Sequence, residues 1–168
     1  MKIISLLLFV LLITNTLIAQ ELKENVLPKN SIFFELYGSA FLYSINYERI
    51  FYLKSENIYV GRAGAFIFPL VEEGNGPWYS IPLTINKLIG TSNHKLEIGI
   101  GELITIAKTN DGTKTNLNSV TNVILGYRYQ PKNSGLLFRL SYTPWISNDD
   151  FPDFEGSHRG GVSLGYSF

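Results

Sequence analysis

The sequence predicts an all-β fold, specifically an eight-stranded antiparallel up-and-down transmembrane β-barrel. Three observations point there. From Ser31 to Phe168 apolar and polar residues alternate with a period of two in eight runs, and no stretch keeps helical spacing. The segments joining the runs alternate between short and long. The polar half of each run is poor in charge, and its few ions balance in sign, as an enclosed interior requires.

The runs justify themselves one by one. In the first, Ile32, Phe34 and Leu36 share a face opposite Phe33, Glu35 and Tyr37, and Gly38, Ser39 and Ala40 allow a tight reversal. The second sets Tyr43, Ile45 and Tyr47 against Ser44, Asn46 and Glu48. The third sets Tyr59, Gly61, Ala63, Ala65 and Ile67 against Arg62 and Gly64. The fourth sets Tyr79, Ile81, Leu83 and Ile85 against Ser80, Pro82, Thr84 and Asn86; proline removes a ladder bond, so a bulge is expected near Pro82.

In the fifth run Leu96, Ile98 and Ile100 oppose Glu97, Gly99 and Gly101. Glu102 would then fall on the apolar face, and a bulge at Gly101 is the expected remedy. The sixth sets Val123, Leu125, Tyr127 and Tyr129 against Asn122, Gly126 and Arg128, and the seventh sets Leu136, Phe138, Leu140 and Tyr142 against Arg139 and Ser141. The eighth places Val162, Leu164, Tyr166 and Phe168 opposite Ser163, Gly165 and Ser167.

The connections near 54–57, 90–94 and 130–134 are short, whereas those near 69–78, 108–118 and 146–158 are longer and rich in Gly, Asn, Asp and Pro. Short turns at one rim and longer loops at the other are the pattern of an outer-membrane barrel with its chain ends on the periplasmic side. The first outer hairpin, near Ser39, departs from it by being short.

The first residues form an address. Lys2 supplies the positive start, Ile3 to Ile13 the apolar run, and Ala19 a small residue for cleavage, so residues 1–19 are expected to be a signal peptide. Residues 20–30 form a short periplasmic lead-in and residues 31–168 the barrel. The apolar run falls short of the ~20 residues a membrane-spanning helix needs.

Composition narrows the classes of function. Fourteen basic and fourteen acidic residues in a chain of 168 give no electrostatic ground for a nucleic-acid partner. Cysteine is absent, which removes thiol chemistry, disulfides and a lipid-bearing cysteine. Charged residues make up only 17% and aromatics reach 14%, a balance foreign to a water-soluble surface.

Alternation alone does not say whether the apolar set faces lipid or a dry core, because a soluble lipocalin-type barrel also alternates. The polar set decides. It is mostly Ser, Asn, Thr and Gly, with Glu35, Glu48 and Glu97 against Arg62, Arg128 and Arg139. A matched set of three acids and three bases suits a narrow lumen in which each charge finds a partner, and these six are expected to form a structural network. Tyr47, Tyr59, Tyr127, Tyr129, Phe138, Tyr166 and Phe168 gather towards the short-turn ends, Tyr79 and Tyr142 towards the other, as two interfacial girdles would.

Together, the leader, the hairpin SINYERIF from Ser44 to Phe51, the phrase LGYRYQP from Leu125 to Pro131 and the closing VSLGYSF resemble the small eight-stranded outer-membrane barrels of the OmpA and OmpX type. The resemblance covers the barrel alone, without a peptidoglycan-binding domain. It implies a cell outer-membrane location in a Gram-negative-type envelope, with membrane lipids and lipopolysaccharide as surroundings. It also implies assembly by the outer-membrane barrel machinery, for which Tyr166 and the terminal Phe168 are similar to the recognition signal. It implies no particular activity.

The residues suggest no enzyme, cofactor or metal centre. A hydrolase triad needs a histidine base, and only His94 and His158 are present; His158 follows Ser157 and lies near Asp153 and Glu155, on a loop without a supporting shell. Asp149, Asp150, Asp153 and Glu155 match no calcium-loop spacing, so the plain reading is a solvated acidic loop. With Phe151, Phe154 and Trp145 this stretch is the expected place for contact with a surface partner. The expected function is non-enzymatic, in envelope structure or surface interaction; the alternatives are a small pore, a lipid-modifying outer-membrane enzyme and a soluble periplasmic ligand-binding barrel.

Overall fold

In the computed structural model, which describes residues 27–40, 42–54, 57–68, 75–109, 115–146 and 158–168, eight strands close into one antiparallel barrel. They are β1 (Asn30–Tyr37), β2 (Tyr43–Lys54), β3 (Asn57–Phe68), β4 (Asn75–Ile89), β5 (His94–Thr109), β6 (Thr115–Tyr129), β7 (Gly135–Ile146) and β8 (His158–Ser167). Each strand pairs with its neighbours in sequence, and β8 returns to β1. No helix occurs among the described residues. The expected signal peptide, most of the lead-in and the acidic loop from Asp149 to Glu155 lie outside the described residues.

Closure satisfies every strand edge, which an open sheet of this composition would leave exposed. The seam is fastened at the chain ends: Asn30 and Phe168 exchange backbone hydrogen bonds of 3.0 and 2.8 Å, and the hydroxyls of Ser31 and Ser167 meet at 3.0 Å. Asn30 thus belongs to the first strand rather than to the lead-in. Residues 27–29 run along the barrel end, where the Lys29 carbonyl accepts a bond from the Ile50 amide.

The register sets the tilt. Paired residues followed round the barrel from Asn30 run through Arg49, Gly61, Ile85, Ile100, Val123, Pro144 and His158, and the β8–β1 register then returns to position 40, a stagger of ten residues (40 − 30). With ~3.3 Å per residue and ~4.8 Å between strands, that stagger inclines the strands about 40° to the barrel axis. A step to the next strand therefore climbs about 3 Å, and a step along a strand about 2.5 Å.

The period-two pattern sorts residues as the sequence suggests, with an outcome opposite to that of a soluble core. Large apolar side chains point outward and stay exposed, Ile45 at 62% and Ile100 at 56%, while Glu35, Glu48, Arg62, Glu97, Arg128 and Arg139 are buried within. Polar Ser44, Asn46, Asn86, Asn122 and Ser163 share the interior with them. Glycines make room for the larger inward groups. A Cβ on Gly99, Gly64 or Gly101 would run into the amide of Asn86, Asn46 or Asn122 on the facing strand, and one on Gly165 would strike Phe33.

Two local expectations need correction. Pro82 causes no bulge: the β4–β5 register runs unbroken from Trp78 to Ile89, and β3–β4 keeps one register on either side of the Gly64 and Ala65 positions. The ladder merely lapses opposite the missing amide hydrogen, and no residue is inserted. Gly101 is no bulge either, since both of its ladders continue through Glu102. The register shifts fall elsewhere: on β2 Ile50 pairs with Val60 and Tyr52 with Tyr59, leaving Phe51 as the extra residue, and the β4–β5 register shifts between Asn75 and Trp78.

The strands also run beyond their expected ends, taking in 75–78, 108–109 and 115–118, which the polar composition assigned to connections. Ladder hydrogen bonds need no apolar side chain, so a barrel wall continues wherever two strands stay in register.

Candidate functional site

The interior is stacked in three layers along the barrel axis. Near the short-turn end Ile50, Ile58, Val60 and Leu88 form a buried apolar cluster, against which Leu27 packs. Towards the other end Leu103, Val120 and Trp145 form a second; Trp145, expected among the residues that meet a surface partner, is instead an inward residue of β7 and buried in the barrel. Between them lies the set of ions. Each apolar layer follows from strand parity: Ile50 continues the inward series of Glu48, Leu103 that of Glu97 and Gly101, and Val120 that of Asn122.

Six strands each contribute one charged residue to the middle layer, and the structure brings all six sequence-selected residues together. Glu97 from β5 is the hub. Arg139 Nε and Nη2 donate to its two carboxylate oxygens at 2.8 Å each, and Arg62 Nη2 donates to Oε1 at 2.6 Å. Arg128 Nη2 lies 2.6 Å from Glu48 Oε1, and its Nε donates to Gln130 Oε1 at 3.0 Å. Glu35 accepts from Arg139 Nη1 at 3.4 Å and from the Ser163 hydroxyl at 3.3 Å, and Arg62 Nη1 stands 3.9 Å from it.

Such pairing is what makes burial of six ions tolerable. Removing an ion from water costs several kcal/mol unless an opposite charge and hydrogen bonds replace the solvent, and a fork-shaped guanidinium on a carboxylate does both. The aromatic ring of Phe33 adds a neutral support, with the Arg62 and Arg139 guanidinium carbons 5.0 and 5.1 Å from its centroid. Phe33 was legible in the sequence as a neighbour in parity of Glu35, though its role between two arginines was not.

Two further polar residues belong to this interior and were not singled out from the sequence. Lys95 is buried near the short-turn end, where Nζ donates to the Ser92 carbonyl at 2.8 Å and to the Gln130 carbonyl at 3.3 Å. Gln130 is fully buried at the end of β6. Their inward parity was the available signal, obscured because both sit at strand ends next to turns.

The histidines stand on the outer face, one at each rim. His94 opens β5 rather than lying in a turn, and its Nδ1 meets the Tyr127 hydroxyl at 2.5 Å, with the Tyr129 ring 5.3 Å away. His158 Nδ1 meets the Tyr142 hydroxyl at 2.5 Å, the two rings stacked within 9°. Each histidine is thus engaged by a tyrosine. Ser157, Asp153 and Glu155, the remaining members of the imagined triad, lie outside the described residues. Among the described residues no group of three or more His, Cys, Asp or Glu could hold a metal ion.

Glu102 is the outlier of the outer face. It follows Ile98 and Ile100 outward and accepts a hydrogen bond of 2.8 Å from the Thr121 hydroxyl on the neighbouring strand. The parity that leaves this carboxylate outside is the parity that buries Leu103 against Val120 and Trp145. Tyr166, of the closing motif, is exposed on the outer face beside Ile32 and Leu136, and Phe168 is tied to Asn30 by the backbone.

Chemically, the middle layer is a cross-brace: it ties β1, β2, β3, β5, β6 and β7 across the lumen, between two buried apolar clusters. No known protein-family model matches this chain, and neither a curated protein nor a solved structure matches it.

Proposed function

We propose that the chain is an integral outer-membrane barrel of the OmpA and OmpX type, exported by a cleaved leader and inserted by the outer-membrane assembly machinery. One observation carries the reading: the inverted partition of the barrel wall, with exposed Ile, Leu, Val and Tyr outside and paired ions inside. Bilayers demand this inversion, because lipid solvates apolar side chains and leaves no backbone group unsatisfied in a closed barrel. A water-soluble barrel with the same sidedness would expose a continuous apolar belt far larger than soluble surfaces carry.

The layered interior favours a structural over a conducting role. An eight-stranded barrel is just wide enough for side chains, and here they fill it with a braced ionic layer between apolar clusters. The proposed role is therefore non-enzymatic, in envelope structure or in surface contact through the outer loops, including Asp149, Asp150, Phe151, Asp153, Phe154 and Glu155. The short-turn end would face the periplasm.

The test is the electrophoretic mobility of the envelope fraction with and without boiling. A folded outer-membrane barrel resists detergent and changes mobility on heating; an unchanged mobility together with release by osmotic shock would overturn the reading.

A further inference from the structure

We infer that the outer face of β2–β4 carries a binding site for an anionic glycerophospholipid of the inner leaflet, its phosphate between Arg49 and Lys87 and one acyl chain in the groove above them. This inference rests on the membrane reading and adds to it a particular ligand and place.

Among the described side chains Arg49 and Lys87 are the outward cations of these strands. Arg49 is paired in register with Gly61 and Gly61 with Ile85, and Lys87 lies two residues beyond Ile85 towards the short-turn end, opposite Tyr59. From the strand tilt the two cations stand at the same height within about 2 Å and about 12 Å apart round the circumference. Two long side chains can close that gap on one phosphate. Lys87 Nζ already leans over the Tyr59 ring, 5.8 Å from its centroid, in the intervening space. Among the described residues neither Arg49 nor Lys87 meets a carboxylate. No described carboxylate therefore competes with an anion for their charge.

The height is that of a headgroup. Tyr59, Tyr129 and Tyr166 lie at nearly the same level on the outer face, which is the aromatic belt where headgroups sit. Above it opens a groove of about 750 Å³ whose lower lining is Tyr47, Gly61, Ala63, Leu83, Ile85 and Ile100 and whose far end is reached by the hydrogen-bonded pair Glu102 and Thr121. Its floor is low because β3 turns Gly61 and Ala63 outward where neighbouring strands carry Tyr47, Leu83 and Ile85. Cations at the mouth and a groove rising towards the bilayer centre match one molecule with a phosphate and an acyl chain. Cationic or uncharged lipids would satisfy only the groove.

The experiment folds wild-type protein, Arg49→Gln/Lys87→Gln and Gly61→Leu into vesicles of equimolar phosphatidylcholine and phosphatidylglycerol. Native mass spectrometry after mild detergent extraction then counts the retained lipid. A Cβ at Gly61 makes only ordinary contact, with Phe51 Cδ1 at 3.7 Å the nearest atom, so Gly61→Leu grows from an unstrained position into the groove. The wild type should retain phosphatidylglycerol in preference to phosphatidylcholine. The double variant should lose affinity for it roughly thirtyfold. Gly61→Leu should lose it with both cations intact. Equal retention of both lipids, or a double variant that retains as the wild type does, overturns the headgroup site; unchanged retention by Gly61→Leu overturns the acyl groove. Heat-dependent gel mobility of the same samples separates these failures from failure of the membrane reading, in which none of the proteins would insert.

Discussion

Arg139 holds Glu97 by both carboxylate oxygens, Nε donating to Oε2 and Nη2 to Oε1, each at 2.8 Å, with Glu97 fully buried and Arg139 exposed by only 1%. Because Arg62 and Arg128 also face Glu97, loss of this one negative charge leaves three guanidiniums with two acids. Glu97→Gln is therefore expected to lower the unfolding free energy by about 3–5 kcal/mol. Arg139→Lys should recover little against Arg139→Met, since an ammonium lacks the fork that fits both oxygens. Urea unfolding of the refolded barrels followed by tryptophan fluorescence measures each difference. A loss below 1 kcal/mol for Glu97→Gln would show that the brace does not hold the fold.

The interior glycines make a second, independent prediction. A Cβ on Gly99 would press on the Asn86 side chain and lie 2.7 Å from the Ile85 carbonyl oxygen. Gly99→Ala is expected to cost about 1–3 kcal/mol by overpacking. Asn86→Ala in the same chain should relieve the side-chain part of that clash, so the double variant should be more stable than the sum of the two single losses predicts. Additive losses would mean that the backbone contact alone governs the position.

Much of this architecture was legible because a period of two fixes which residues share a face, whatever the neighbours do. Glu35, Glu48, Arg62, Glu97, Arg128 and Arg139 could be grouped on that ground, and a balance of signs suggested that they meet. What alternation does not encode is how a violation is resolved. Glu102 on an apolar face can be cured by an inserted residue or endured in register, and the interior decided for register because it buries Leu103 with Val120 and Trp145. The bulge at Phe51 was hidden for the opposite reason: in the run from Ile50 to Leu53 every residue is apolar, so a slip changes no pattern. The apolar clusters were likewise obscured, since Ile50, Ile58, Val60 and Leu88 share the polar face and only the height of each strand shows that they meet.

The sidedness of the wall can be tested at a single position. Leu125 points outward, is 48% exposed and stands near half the height of the apolar belt. Leu125→Arg should cost about 2–4 kcal/mol in a bilayer, the penalty of an arginine near the midplane. The same substitution on a water-facing wall would change stability by less than about 0.5 kcal/mol. Folding into phosphatidylcholine vesicles under a urea titration distinguishes the two, and a small effect would reverse the assignment of the faces.

Glu102 and Thr121 supply the most discriminating case, because their hydrogen bond of 2.8 Å lies on the outer wall. By the tilt of the strands Glu102 stands about 15 Å above the level of Arg49, towards the long-loop side of the belt. On the membrane reading the carboxyl group there leans on a single protein donor in a poorly solvating environment. Thr121→Val should then cost about 1–3 kcal/mol by leaving the carboxyl group unsatisfied. Glu102→Leu should cost nothing or stabilise the barrel, since an apolar group replaces a polar one against lipid. The double variant should fall close to Glu102→Leu alone, for Thr121→Val has no carboxyl group left to strand. This non-additivity, read as a coupling energy from urea titrations in vesicles, is expected to approach the whole cost of Thr121→Val. A coupling near zero would mean that water reaches Glu102 and that the belt ends below it.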